Sequence, residues 1–236
     1  MFETNKISKL LNIKYPILQG GMAWASSGKL ACSVSNAGGL GIVGCAGREA
    51  EWVLNEIKYA KNNTSVQIGL NVALNDENAV NIIEIAVEND IKFFTMGGAN
   101  TYLKLISKFS KDVLIIPVVG SAIEAKFAER AGAKAIICEG QESGGSIGGL
   151  SLFSLLPQVV DSVKIPVIAA GGIADSRGMR AAFALGAEGI QMGTRFLASE
   201  ECCVIDEYKK RILKAKDIDS MVISRKNKRP TRVIKN

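Results

Sequence analysis

The chain has 236 residues, 47% hydrophobic and 22% charged, a balance that excludes global disorder and suits one domain with a sizeable core. The formal charge of +6 is uneven: residues 205–236 carry +7 and residues 1–204 carry −1, so a neutral body precedes a basic tail. No run of about 18 apolar residues exists to span a membrane, and the absence of histidine and of any CxxC pair argues against a zinc site, so no metal is expected.

The first residues, MFETNKISKLLNIKYPILQGG, lack the apolar core and cleavage site of a secretory signal, and the expected location is cytoplasmic. From there short β-rich runs alternate with longer amphipathic stretches. Strands are expected at Tyr15–Gln19, Gly41–Val43, Ser65–Val72, Lys92–Thr95, Val113–Val118, Ala135–Cys138, Pro166–Ala169 and Gly189–Met192. Helices are expected between them, near residues 28–36, 48–61, 76–89, 100–109, 121–131, 150–162 and 176–185, with another near 200–215. The strand runs are continuously apolar, as expected of parallel strands covered on both faces. Eight such units favour an α/β fold closed into a (β/α)₈ TIM barrel over an open flavodoxin-like or Rossmann sheet. Pro117 sits awkwardly inside the fifth strand, whereas Pro166 at a strand start is tolerable.

The alternation stops near Asp217. Residues 1–216 are therefore read as the barrel domain and 217–236 as a basic C-terminal extension. That extension is either a solvated surface or a contact for an acidic partner. Nucleic acid is not expected, because no aromatic residues interleave the basic ones. The cysteines are Cys32, Cys45, Cys138, Cys202 and Cys203, and most read as small buried hydrophobes in a reducing compartment.

Five segments carry a strand straight into a loop suited to a ligand: ILQGGMAW, IGLNVAL, AIICEGQESGGSIGG, IPVIAAGGIADS and GIQMGTRF. On a barrel these loops all emerge at the C-terminal face. AAGGIADS and MGTRF follow strands seven and eight, where phosphate sites of this fold are commonly built. Gly171, Gly172 and Gly193 leave backbone N–H groups uncovered, and Thr194 adds a hydroxyl, so an anion site is expected there. Arg195 either adds charge or braces the rim. The match of Gly39–Gly44 to GxGxxG is discounted, because it follows a helical stretch and becomes a strand, the reverse of a dinucleotide fingerprint. Gly38 reads as a helix C-cap, and SGGSIGG lacks the lysine of a P-loop.

QGGMAW, SNAGGLGIVG, GLNVAL, IPVV, EGQESGG, IPVIAAGGIAD, GAEGIQMGTRF and KAKDID, in that order, resemble the FMN-dependent enoyl-[acyl-carrier-protein] reductase and nitronate monooxygenase family, also called 2-nitropropane dioxygenase-like. QGGMAW and the closing VIKN lean toward the reductase branch. The resemblance implies that the isoalloxazine of FMN lies near Gly21, Met22 and Asn71. It implies a phosphate between Gly171–Gly172 and Gly193–Thr194, with Glu139 and the Gly144–Gly145 loop lining the cleft. Read from the residues alone, the alternatives are a core methionine for Met22, a turn cap for Asn71 and a solvated or helix-capping acid for Glu139.

Two departures stand against the family pattern. The family loop reads EAGGH or ESGGH, and here Ser146 occupies the histidine position. A serine hydroxyl is not a base near neutral pH, and no other histidine is present. Relatives also continue past the stretch resembling VIKN. The function implied is an FMN-dependent oxidoreductase, most like enoyl-[acyl-carrier-protein] reductase, with NAD(P)H as reductant and a small-molecule or carrier-protein-bound enoyl thioester as substrate. The alternatives are a nitronate monooxygenase and a flavin-binding protein with little or no turnover. The sequence leaves the oligomeric state open, a homodimer included.

Overall fold

The computed structural model describes residues 4–73, 76–97, 102–109, 113–224 and 230–235. Residues 100 and 101 of the helix expected near 100–109, Leu74 of IGLNVAL, residues 225–229 of the tail and Asn236 lie outside the described residues.

Eight parallel strands form the centre: β1 (Ile17–Gln19), β2 (Ile42–Gly44), β3 (Gly69–Ala73), β4 (Phe93–Gly97), β5 (Leu114–Val119), β6 (Ile136–Glu139), β8 (Val167–Ala170) and β9 (Gly189–Met192). Their spatial order is β1-β9-β8-β6-β5-β4-β3-β2. The ends of that series meet: Leu18 bridges Leu40 in parallel, Gln19 N donates to Leu40 O at 3.0 Å, and Leu40 N donates to Ile17 O at 3.0 Å. The result is an α/β fold with a nearly closed eight-stranded parallel barrel, consistent with the (β/α)₈ barrel the sequence predicts. The largest displacement is at β3, which begins at Gly69 and not at Ser65, whereas the other strand boundaries fall within two residues of those expected. Pro117 lies opposite Met96 of β4, and the ladder to β6 begins one residue later at Val118. The missing N–H therefore falls ahead of that ladder.

Helices α2 (Gly28–Asn36), α3 (Ala50–Asn63), α4 (Ala79–Glu88), α5 (Tyr102–Phe109), α6 (Ala122–Arg130), α7 (Leu152–Ser162) and α8 (Ser176–Ala184) surround the strands. Polar caps fix several starts: Ser121 Oγ accepts from Glu124 N at 3.2 Å and Asp175 Oδ1 from Arg177 N at 2.8 Å. Helix α2 ends as the sequence predicts, with Gly38 at φ 99° just past its last turn. Gly41 of the discounted GxGxxG match serves packing, since a Cβ there would strike the Ala31 backbone.

Two apolar clusters follow from this layering. Leu18, Ile42, Phe93, Ile116, Ile137 and Ile168 fill the barrel together with Ile7 and Leu11 of α1 (Lys6–Leu11). A larger cluster lies between the strands and the outer helices. Asn5 Nδ2 donates to Glu188 O at 2.8 Å, beside the start of β9, so α1 plugs the N-terminal end. The C-terminal end carries the glycine loops.

The tail adds an arrangement that the sequence reading did not predict. Beyond α9 (Thr194–Leu197) and α10 (Asp206–Lys214), β10 (Ser220–Ile223) and β11 (Thr231–Ile234) pair antiparallel. Strand β11 also pairs with the two-residue β7 (Gly145–Ser146). Among the described residues no helix is long and apolar enough to cross a membrane.

Candidate functional site

The expected site residues fall at the C-terminal ends of β1, β3, β6, β8 and β9, and the fold brings most of them into contact. A Cβ on Gly21 would collide with the Asn71 side chain, lying 2.8 Å from its Cγ. A Cβ on Gly193 would stand 3.5 Å from Met22 Sδ, and one on Gly144 would stand 3.8 Å from Thr194 Oγ1. Gly21, Met22, Asn71, Gly144, Gly193 and Thr194 therefore share one mouth. Gly171 and Gly172 follow β8, directly beside β9 through the pair Ala170↔Gln191. Both have positive φ, 105° and 69°, which a side chain rarely adopts. A Cβ on Gly171 would lie 3.1 Å from Gly140 O, and one on Gly172 would lie 3.2 Å from Glu142 Cβ. The two glycines thus turn tightly under the loop that follows β6.

That loop is pinned on both sides. Gly140 N donates to Ala170 O at 2.9 Å and Gln141 N to Leu150 O at 2.8 Å. The Glu142 carboxylate accepts from Leu152 N, at 3.1 and 2.9 Å, and so caps α7. Ser146 is exposed and sits in β7 opposite Thr231. Gly145, opposite Arg232, has φ 79° and open space where a Cβ would be. Arg232 ties the tail to this loop, its Nε donating to Gln141 O at 3.1 Å. Arg195 lies exposed on α9.

Asn71 Nδ2 donates to Thr95 Oγ1 at 2.9 Å and to Thr95 O at 3.2 Å. Both N–H donors are thereby committed, and Oδ1 remains as the atom for a ligand. Met22 is held by its backbone: its N–H donates to Ser26 Oγ at 2.9 Å, and its carbonyl accepts from Ser26 N at 3.0 Å.

Two glutamines escaped the sequence reading. Gln19 is wholly buried, and its amide donates to Ser26 Oγ at 2.9 Å and Ile42 O at 3.2 Å while its Oε1 accepts from Ile42 N at 3.1 Å. It locks the turn after β1 against β2. Gln191 packs against Gly20, its Cδ 3.2 Å from where a Cβ would stand, and its Oε1 is buried with no hydrogen-bond partner among the described residues. A buried acceptor left unpaired at a cleft is a place for a ligand donor. The signal for both was a glutamine inside an otherwise apolar strand.

Burial raises the Glu139 carboxyl above the usual carboxylate range, and the Ser143 hydroxyl, donating to Oε1 at 2.8 Å, offsets this in part. A carboxyl with a raised folded pKa favours the folded state while protonated. That advantage disappears as pH rises from the unfolded pKa through the folded one. Glu139→Gln, neutral throughout, should therefore gain stability relative to wild type as pH rises through the carboxylate range. Urea midpoints of both proteins at about pH 4 and about pH 7 check this. A difference that stays constant or shrinks with pH would contradict it.

The family model described as nitronate monooxygenase matches residues 4–100 and 74–236. The chain belongs to this family. A Staphylococcus aureus relative named probable nitronate monooxygenase is 34% identical over 270 residues, covering 94% of this chain and 76% of its own length. A Rhodococcus jostii relative, a hydroxy-methyl-oxo-octahydroindene-carboxyl-CoA dehydrogenase, is 36% identical over 221 residues, covering 93% of this chain. This chain spans 62% of that relative's length. Among solved structures, FabK from Thermotoga maritima superposes with a TM-score of 0.96 at 45% identity, covering 98% of this chain and 75% of its own. A nitroalkane oxidase from Streptomyces ansochromogenes superposes at 0.87 with 25% identity, covering 98% of this chain and 79% of its own.

Proposed function

We propose that the barrel mouth binds FMN and that the chain is an FMN-dependent oxidoreductase, most like an enoyl-[acyl-carrier-protein] reductase. The observation that carries this reading is the left-handed pair Gly171–Gly172 beside Gly193–Thr194, at the ends of adjacent strands. Such a pair offers uncovered N–H groups where a barrel commonly holds phosphate. The remaining residues fit a flavin. Met22 supplies a soft apolar contact, while Asn71 Oδ1 and the orphan Gln191 Oε1 supply acceptors. Bound FMN supplies the hydride relay from NAD(P)H to the β-carbon of an enoyl thioester.

In this reading the chain's residues bind and orient. Gly171, Gly172, Gly193 and Thr194 hold the phosphate. The Gly144–Gly145 loop and Glu139 wall the cleft, and Gln19 and Ser26 keep Met22 in place. Ser146 lies at the mouth as a hydroxyl that can donate a hydrogen bond but cannot act as a base. The proton at the substrate α-carbon then comes from water. A thioester substrate accords with the Rhodococcus relative, whose name specifies a carboxyl-CoA. The higher identity to FabK than to the nitroalkane oxidase, 45% against 25%, accords with the branch toward which QGGMAW leans.

Nitronate oxidation is the second reading, favoured by the matching family model and the Staphylococcus relative. NADH or NADPH consumption with a crotonyl thioester, set against O₂ uptake with a nitronate, separates the two on the FMN-loaded chain. Thioester-dependent consumption is expected, and nitronate-dependent O₂ uptake alone would reverse the assignment. Silence with both substrates would favour a flavin-binding protein of little turnover. The barrel is proposed as residues 1–216 with 217–236 as its basic extension, which offers a contact for an acidic partner such as a carrier protein.

A further inference from the structure

The chain has two tryptophans and five cysteines, and the fold gathers both tryptophans and two of the cysteines beside the turn that follows β1. Trp24 occupies that turn with φ 66°, a conformation unfavourable for a bulky side chain, and its ring is exposed. The Arg48 guanidinium lies between the two indoles, 4.0 Å from the Trp24 ring centroid and 4.2 Å from that of Trp52. On the other side of the turn, Cys202 Sγ donates to Ala25 O at 3.4 Å and Cys203 Sγ donates to the same oxygen at 3.3 Å. Cys203 Sγ also lies 3.8 Å from Trp24 O. The two sulfurs therefore flank one carbonyl, and both act on the backbone of the residue after Trp24.

The two thiols differ in access. Cys202 is buried with Ala25, Leu30 and Val34, against which Met22 packs, while Cys203 is exposed. Their peptide lies between α9 and α10, outside any helix or strand, so it is free of ladder hydrogen bonds that would resist rearrangement. The other three cysteines are buried at separate places in the barrel, and burial pushes the Cys45 and Cys138 thiols up to about 12. Of the five, Cys203 alone is exposed to reagent, and its chain neighbour is a second thiol sharing its acceptor.

We propose that Cys202 and Cys203 form a vicinal dithiol redox site, which a small disulfide oxidises and whose closure releases the Trp24–Ser26 turn. The Cys203 thiolate attacks one sulfur of the incoming disulfide, whose S–S bond breaks. The first thiolate leaves and takes up the proton Cys203 released. Cys202, on losing its own proton, attacks Cys203 Sγ in the mixed disulfide and expels the second thiol. Two protein thiols are oxidised, and one small disulfide is reduced to two thiols by the two electrons and two protons transferred. A disulfide sulfur carries no hydrogen, so closure leaves the Ala25 carbonyl without either S–H donor. The turn they brace holds Trp24, and through Met22 it adjoins the barrel mouth.

The test needs no flavin. The full chain is incubated with bis(2-hydroxyethyl) disulfide, quenched in acid, alkylated under denaturing conditions and mapped by peptide mass. Two fewer alkylatable thiols than the five of the reduced chain are expected, both lost from the peptide carrying Cys202 and Cys203. Indole emission should shift in step, because both tryptophans lie in the Arg48 sandwich, and dithiothreitol should restore both signals. Cys203→Ser should show neither change. Cys202→Ala should lose a single alkylatable thiol, to a mixed disulfide that persists on Cys203, which separates closure from modification. A mixed disulfide that persists on Cys203 in the wild-type chain would overturn the proposal. So would a Cys203-linked dimer, or closure with unchanged emission.

Discussion

Gly172→Val should weaken FMN binding at least tenfold, or about 1.4 kcal/mol. Two effects act in the same direction. At φ 69° a β-branched residue is strained, so the turn must shift to relieve it. The new Cβ would also stand 3.2 Å from Glu142 Cβ, pressing on the loop that walls the cleft. Either movement turns the Gly172 N–H away from the phosphate it is proposed to hold. Gly149→Ala is the matched control, because nothing lies within 4 Å of its Cβ position and its φ is not positive. Flavin titration of the folded variants is the measurement. Unchanged affinity in Gly172→Val would mean that this glycine serves the turn and not the ligand.

Ser146→His should raise turnover by roughly 3–30-fold, more than any other single substitution. A positioned acid–base group typically contributes about 10²–10⁴-fold. A misplacement of about 1 Å can forfeit about 10²-fold, and a grafted imidazole arrives without evolved partners. The backbone at this position is held by β11, while Gly145 beside it leaves open space that an imidazole can enter. The measurement is kcat/KM for thioester reduction and for nitronate oxidation at matched FMN occupancy. A pH dependence near the histidine pKa of about 6.5 should accompany the gain. No gain with either substrate would show that histidine loss is not what limits activity.

The barrel was legible because its strands are largely buried and so read as mostly apolar runs, such as Leu114–Val119 and Val167–Ala170. The glycine turns were legible because positive φ at Gly38, Gly171 and Gly172 demands that residue type. The β7–β11–β10 sheet was not. A two-residue strand has no period, and the pairing of Gly145 with Arg232 joins segments far apart in sequence through backbone groups that every residue carries. Asn71 lies against Gly21 at the strand ends, but its two donors are spent on Thr95, a partner from the neighbouring strand that no local spacing shows. Gln191 lay inside the quoted motif GIQMGTRF, yet its unpaired acceptor becomes visible only once Gly20 is packed against it. The Arg48 sandwich joins the turns after β1 and β2, and no local spacing announces it.

The central claim, FMN at the C-terminal mouth, is tested most directly by a crystal structure of the chain grown with FMN. The expected result is an ordered flavin with its phosphate hydrogen-bonded at Gly171, Gly172, Gly193 and Thr194 and its ring against Met22 and Asn71. An ordered FMN bound anywhere else on the chain would contradict the account.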